Sequence, residues 1–159
     1  MPKVIVNSTP LIALSKVGRL DILRQMYGRV TVPGAVFQEV TVKNDTVRKE
    51  ILDSEWIDIE AVPDLKDRKM YSAKLHAGEV EVMILAQKMT DHLVVIDDRA
   101  ARKTAEFLGL KLTGTLGVLL KAKANGLIPK VMPIIECMEA HEIFLSQNLQ
   151  DKIRKLCGE

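Results

Sequence analysis

One short run, Leu93-Val94-Val95-Ile96-Asp97-Asp98, constrains the fold of this chain more than any other stretch. Its four apolar residues predict a buried strand, and the segment from Arg99 to Lys103 predicts the start of a helix. Ligands of open α/β sheets bind outside the carboxyl ends of the strands, where Asp97 and Asp98 would lie. Adjacent carboxylates repel each other unless a cation lies between them, so both are candidate cation ligands. Asp98 alone would also suit a helix N-cap.

Strand patterns and helix patterns alternate along the chain, which predicts an α/β fold with a central, mostly parallel sheet. Besides the opening run, strands are predicted at 3–6, 30–32, 56–59 and 111–113. Helices are predicted at 11–14, 20–26, 36–40, 45–54, 70–75, 78–86, 118–124, 133–142 and 146–156. For 159 residues we expect a single domain over 1–159, in which 130–159 form a C-terminal helical extension.

The composition is that of an ordinary globular chain, with 47% hydrophobic and 28% charged residues, and no apolar run approaches the length of a membrane span. The net charge of +2 is uninformative, but seven bases and one acid lie between Arg99 and Lys130. A basic region beside a carboxylate edge suits a polyanion, although the run taken alone is better explained as a solvated face. Cys137 and Cys157 are too few and too far apart for a zinc site or disulfide framework, which favours reduced thiols in the cytoplasm.

Polar residues also follow the first strand and the strand at 111–113. Asn7 and Ser8 come directly after the first strand, and Thr115 begins the segment after the later one. Because the carboxyl ends of parallel strands share one edge, we expect these side chains near Asp97. Taken alone, Asn7 and Ser8 are better explained by a plain helix cap.

Two further acids lie on predicted helices. Glu39 stands beside the apolar stripe of the helix at 36–40, where a solvent-facing acid is the simplest interpretation. Glu79 lies in the first turn of the helix at 78–86, where a carboxylate is favoured by the helix dipole or serves as a third acid of the site. Glu81 is expected to face water. Oxygen ligands without a Cys/His cluster select Mg²⁺ or Mn²⁺ over zinc.

Four stretches, in this order, resemble the PIN-domain family: 6–14 (VNSTPLIAL), 32–40 (VPGAVFQEV), 78–81 (GEVE) and 94–99 (VVIDDR). The resemblance extends over nearly the whole chain and is narrower to a branch related to VapC toxins. It implies a three-layer PIN-like fold with a sheet of four to five strands flanked by helices. It also implies a cytoplasmic, Mg²⁺- or Mn²⁺-dependent ribonuclease. By analogy, we expect a homodimer and a small antitoxin partner.

The resemblance implies the site residues by motif position. Asn7 falls where PIN nucleases have their first Asp, and an amide at that position weakens the field that holds a metal. Glu39 falls on the acid of the helix after the Val-Pro turn, Glu79 on the third acid, and Asp98 or Asp97 on the acid after the late strand. Ser8 and Thr115 match hydroxyls near that site. The cations expected to guide RNA are Arg99, Arg102, Lys103, Lys121 and Lys123.

Two other functions are compatible with these residues. The first is a catalytically weak or silent PIN module that binds RNA or a protein partner, which Asn7 favours. The second is a receiver-like phosphoacceptor domain, which expects an acidic pair after the first strand. Here the pair comes late and the first strand ends in Asn7, so we rank this function last.

Overall fold

The computed structural model describes residues 2–62, 68–69 and 75–159 and contains a five-stranded sheet. In chain order, the strands are β1 (Lys3–Val6), β2 (Val30–Pro33), β3 (Ile57–Glu60), β4 (His92–Val95) and β5 (Leu112–Thr113). Their order across the sheet is β3-β2-β1-β4-β5, and every neighbouring pair is parallel. The α/β fold with a parallel sheet is therefore confirmed.

Nine helices flank this sheet in the described residues. The first five are α1 (Ser8–Lys16), α2 (Asp21–Tyr27), α3 (Gly34–Thr41), α4 (Thr46–Asp53) and α5 (Ala77–Gln87). The last four are α6 (Arg99–Phe107), α7 (Thr115–Ala124), α8 (Met132–Ala140) and α9 (Gln147–Cys157). The helix predicted at 70–75 lies, except for Leu75, outside the described residues. Within the described ranges, no helix combines the length and apolar character that a membrane crossing requires.

The central strands are buried on both faces, as expected for a parallel sheet covered by helices on each side. Ile5, Val32 and Val94 have no exposed surface. This explains why the central strands are near-continuous apolar runs rather than alternating ones. The central strands therefore form the middle of the hydrophobic core, and polar groups are found where these strands end.

The strand register fixes which ends meet. Val6, the last residue of β1, pairs with Val95 of β4, and Val95 in turn pairs with Thr113 of β5. The chain leaves β1 towards β2 on one side of the sheet and leaves β4 towards β5 on the other side. The carboxyl ends of β1 and β4 therefore form the topological switch point, where open α/β sheets bind ligands.

The strand order also decides one alternative. Flavodoxin-like domains, which include the receiver domains, have the strand order 2-1-3-4-5. In this chain β1 lies between β2 and β4 and the order is β3-β2-β1-β4-β5. The receiver-like alternative is therefore wrong.

Candidate metal centre

Asn7 leaves β1 at the switch point and is held there by its backbone. Its N–H donates to the carbonyl of Val95 over 3.0 Å, and the residue is only 2% exposed. The side chain makes no capping hydrogen bond to α1, so a helix cap does not account for it. Its Oδ1 is buried and has no hydrogen-bond partner among the described residues. Ser8, the next residue, is buried as well at 6% exposure.

Glu79 is buried in the first turn of α5. Its residue exposure is 6%, and its Oε1 accepts a hydrogen bond of 2.9 Å from the backbone N–H of His76. Burial raises the pKa of Glu79, and the neighbouring carboxylate of Asp98 raises this pKa further. The expected preference for a carboxylate at this helix start is confirmed, and the expected third acid at the sheet edge lies beside Asp98.

Asp98 follows β4 and begins α6. Its Oδ2 accepts a hydrogen bond of 2.9 Å from the N–H of Ala101, so the N-cap interpretation is confirmed. The residue is exposed, and its carboxylate lies close enough to Glu79 to raise the pKa of that buried acid. Asp98 is therefore both a helix cap and the neighbour of a buried acid, and capping engages only one of its two oxygens.

Glu39 reaches the same region from α3, because Gly78 leaves room for it. A Cβ atom on Gly78 would lie 3.3 Å from Oε2 of Glu39 and 3.0 Å from Cγ2 of Val36. The missing side chain lets α3 pack against the first turn of α5. The carboxylate of Glu39, which is exposed, thus lies beside the residue that precedes Glu79.

Asp97 is directed to a different partner. Its Oδ1 accepts a hydrogen bond of 2.8 Å from the N–H of Thr115, and its Oδ2 accepts one of 2.6 Å from the Thr115 hydroxyl. A Cβ atom on Gly114 would lie 2.7 Å from the same Oδ1, so glycine is needed for this close approach. Both oxygens of Asp97 join the start of α7 to the end of β4, which favours Asp98 as the cation ligand.

An Asp97→Ala variant is expected to lose stability rather than metal binding. Removing the carboxylate leaves the N–H and hydroxyl of Thr115 without their acceptor, which costs about 1–3 kcal/mol of unfolding free energy. Urea denaturation measures this loss, and a Mn²⁺ titration of the folded variant measures affinity. A variant that kept its stability but lost Mn²⁺ affinity would contradict the structural role.

The five cations expected to guide RNA differ in their availability. Arg99, Lys103 and Lys121 are exposed. Nη1 of Arg102 donates to the carbonyl of Ile96 over 2.9 Å. Nζ of Lys123 forms an ion pair of 3.0 Å with Glu159. Lys123 and Arg102 are thus already engaged within the protein, whereas the other three cations are exposed; RNA binding by all five stays a prediction.

The donor atoms of the predicted site residues are of the kind that a hard divalent cation prefers. The side chains of Asn7, Glu39, Glu79 and Asp98 offer oxygen donors, which suit Mg²⁺ and Mn²⁺. Of these four side chains, that of Asn7 has a buried oxygen, Oδ1, without a hydrogen-bond partner among the described residues. In the described part of the chain, no three acidic, His or Cys side chains already stand close enough to hold an ion.

The expectation that Glu81 faces water is wrong. The residue is 3% exposed, its Oε1 accepts a hydrogen bond of 2.9 Å from the N–H of Ala35, and its Oε2 lies 2.6 Å from Nη2 of Arg68. Every residue from Gly78 to Ala86 is buried, and a helix that is covered all round has no water-facing side. The apolar run after Glu81 was the available signal in the sequence.

Comparison with known proteins identifies the family of this chain through a family model and through no individual protein. None of the curated proteins compared with this chain matches it. A model of the PIN domain matches residues 3–159, a span that contains all five strands and all the residues of the switch point. The chain therefore belongs to the PIN-domain family.

Proposed function

We propose that this chain is a metal-dependent ribonuclease that hydrolyses RNA phosphodiester bonds. PIN domains are generally nucleases and typically use divalent metals. The observation that carries the proposal is the buried, unpartnered Oδ1 of Asn7 at the strand end next to β4. A buried acceptor without a donor requires a partner that the described side chains do not supply, and a bound cation would be such a partner.

In this proposal, Asn7, Glu39, Glu79 and Asp98 hold Mg²⁺ or Mn²⁺. Such an ion lowers the pKa of a bound water and stabilises the charge that develops on the phosphate oxygens. Glu79 supplies a buried carboxylate whose position is fixed by the N–H of His76. Glu39 is exposed beside it and would complete the set of carboxylates that holds the ion.

The RNA backbone would cross the edge of the sheet beside α6 and α7. Arg99, Lys103 and Lys121 are exposed on these helices and carry the charge that phosphates require. The hydrogen bonds from Thr115 to Asp97 hold the start of α7 next to β4. We therefore expect RNA binding to weaken with salt, by about 0.7 log units of affinity per log unit of salt for each phosphate contact with a single strand.

The biological setting stays a proposal based on family resemblance. We propose that the chain is the toxin of a VapBC-type pair and that it works in the cytoplasm as a homodimer with a small antitoxin. A short neighbouring reading frame whose product binds this chain and blocks RNA cleavage would support the assignment. A chain that cleaves RNA but inhibits no growth when expressed would contradict the toxin role and leave the nuclease proposal intact.

Two single substitutions test the nuclease proposal. Asp98→Asn retains an acceptor for the N–H of Ala101, and Glu39→Gln changes an exposed residue, so both variants should fold. We expect Mn²⁺-dependent cleavage of single-stranded RNA to fall more than about 100-fold in each, because even residues behind the ligands change metal sites by 10–100-fold. Cleavage is measured with a fluorophore–quencher RNA and is compared with a sample treated with EDTA.

Glu106→Gln is the matched control, since Glu106 is exposed on the same helix that Asp98 caps. Its cleavage rate should equal that of the wild type. Unchanged cleavage in Asp98→Asn and Glu39→Gln would refute the site. Equal losses in all three variants would point to a general effect of surface charge.

The second candidate function is a silent PIN module that binds RNA without cleaving it. The amide at position 7 favours this candidate, because it removes one formal negative charge from the site relative to an Asp. Such a module binds RNA in a salt-dependent manner and shows no Mn²⁺-dependent cleavage. The Asn7→Asp variant considered in the Discussion separates the two functions.

A further inference from the structure

We propose that Glu81 is a positioning residue of the metal site, which sets where Glu39 stands relative to Glu79 by tying the start of α3 to α5. This inference rests on the proposed function. Glu79 and Glu81 belong to one helix but point away from each other, since residues two positions apart do not share a helix face. Glu79 faces Asp98, whereas Glu81 faces the start of α3.

The contact to α3 replaces a missing helix cap. The first backbone N–H groups of a helix have no partner within the helix, and the N-cap residue of α3 is Pro33, which makes no side-chain cap hydrogen bond. Oε1 of Glu81 accepts the N–H of Ala35 over 2.9 Å. A carboxylate at this end also complements the helix dipole. The cap of α3 therefore comes from α5, the helix that carries Glu79.

The other oxygen of Glu81 is balanced by Arg68. Nη2 of Arg68 lies 2.6 Å from Oε2 of Glu81, and the same nitrogen donates to the carbonyl of Val62. The side chain of Glu81 is 4% exposed and that of Arg68 is 29% exposed. A carboxylate buried to this degree is costly to keep, and none of the steps proposed above uses it. Its contacts assign it to holding helices in place.

Among the contacts between α3 and α5, two bear directly on the position of Glu39. One is the cap from Glu81 at the start of α3, and the other is the close packing of Val36 and Glu39 over Gly78. Because α3 has only eight residues, a shift of its first turn displaces Glu39, which lies five residues after Gly34. The cap thus determines whether Glu39 stays beside the first turn of α5.

The experiment compares Mn²⁺ affinity, read from the EPR signal of free Mn²⁺, with hydrogen exchange of the Ala35 amide, read by NMR without metal. For Glu81→Ala we expect Mn²⁺ to bind 10–100-fold more weakly, the range typical of residues behind metal ligands, and the Ala35 amide to exchange faster. The double variant Arg68→Met, Glu81→Gln keeps an acceptor for Ala35 and removes the unpaired cation. We expect this double variant to bind Mn²⁺ within about threefold of the wild-type affinity, because the cap of α3 that supports the metal ligands is kept.

Ser146→Ala is the structural control, because it removes the cap of α9, where the Ser146 hydroxyl accepts the N–H of Leu149 over 3.2 Å. It should lose stability but keep its Mn²⁺ affinity. If the wild type binds Mn²⁺ and Glu81→Ala binds it equally well, the inference is overturned and the proposed function stands. If the wild type binds no Mn²⁺, both are overturned, whatever the Ala35 exchange shows.

Discussion

A Glu79→Gln variant is expected to bind Mn²⁺ more than about 100-fold more weakly than the wild type, while its metal-free form is at least as stable at neutral pH. The carboxylate of Glu79 is buried and stands beside Asp98, and both effects raise its pKa. A glutamine has no charge to bury, and its amide oxygen can still accept the N–H of His76. The substitution therefore removes a metal ligand together with a destabilising charge.

The pH dependence of this difference follows from the sign of the shift. The pKa of Glu79 is higher in the folded than in the unfolded chain, so folding favours the protonated carboxyl group. The stability that the protonated Glu79 carboxyl group contributes is fully present below the pKa that Glu79 has in the unfolded chain. This contribution is lost as the pH rises through the higher pKa that Glu79 has in the folded chain. In EDTA, the unfolding free energy of the wild type should therefore fall relative to that of Glu79→Gln across this window.

Urea denaturation of both proteins at several pH values in EDTA gives the measurement. Glu79→Ala is the companion variant, because it also loses the acceptor for His76 and should be less stable than Glu79→Gln at every pH. A stability difference between wild type and Glu79→Gln that does not change with pH would mean that Glu79 is not an acid with a raised pKa. Mn²⁺ should also bind more tightly as the pH rises, because binding requires the deprotonated ligand.

Asn7→Asp is expected to have the second large effect. It should lower the free energy of unfolding without metal and raise the stabilisation that Mn²⁺ provides. Asn7 is 2% exposed and its Oδ1 has no partner among the described residues. A carboxylate placed there without a cation should cost about 3 kcal/mol of unfolding free energy, since burying an unpaired ion carries a penalty of several kcal/mol. Saturating Mn²⁺ should recover this loss and stabilise the variant more than it stabilises the wild type.

The measurement is the shift of the unfolding midpoint with Mn²⁺ concentration, accompanied by the rate of RNA cleavage. Asn7→Ala is the control, since it removes the oxygen without adding a charge and should be stabilised by Mn²⁺ less than the wild type is. If Mn²⁺ stabilises Asn7→Asp no more than the wild type, the side chain at position 7 does not face the cation. Strong cleavage by Asn7→Asp but none by the wild type would identify the natural chain as the silent module.

Most of the fold could be predicted from the sequence because it depends on local patterns. The apolar run at 93–96 predicted a strand that the structure places at His92–Val95, and the helix predicted at 78–86 is observed at Ala77–Gln87. Differences of a residue or two arise where helix ends are set by caps, as at Asp45, which accepts the N–H of Arg48.

The candidate site was only partly predictable, because proximity between distant residues is not a local property. The sequence left open which of Asp97 and Asp98 faces a cation, and two adjacent acids after a strand carry no signal that separates them. The structure joins Asp97 to Thr115 and brings Asp98 next to Glu79. The different partners of Asp97 and Asp98 depend on where α7 and α5 pack against the sheet. That packing is determined by the complete hydrophobic core.

The sequence by itself determined the alternation of strands and helices, the acids at strand ends and helix starts, and the resemblance to PIN domains, since each follows from residue type and spacing along the chain. Only the tertiary structure decided that Glu81 is buried and caps a neighbouring helix. It alone showed that Lys123 is engaged by Glu159 and that Oδ1 of Asn7 lacks a partner. These three facts concern burial and pairing between segments far apart in the chain, which depend on how the complete set of elements packs together.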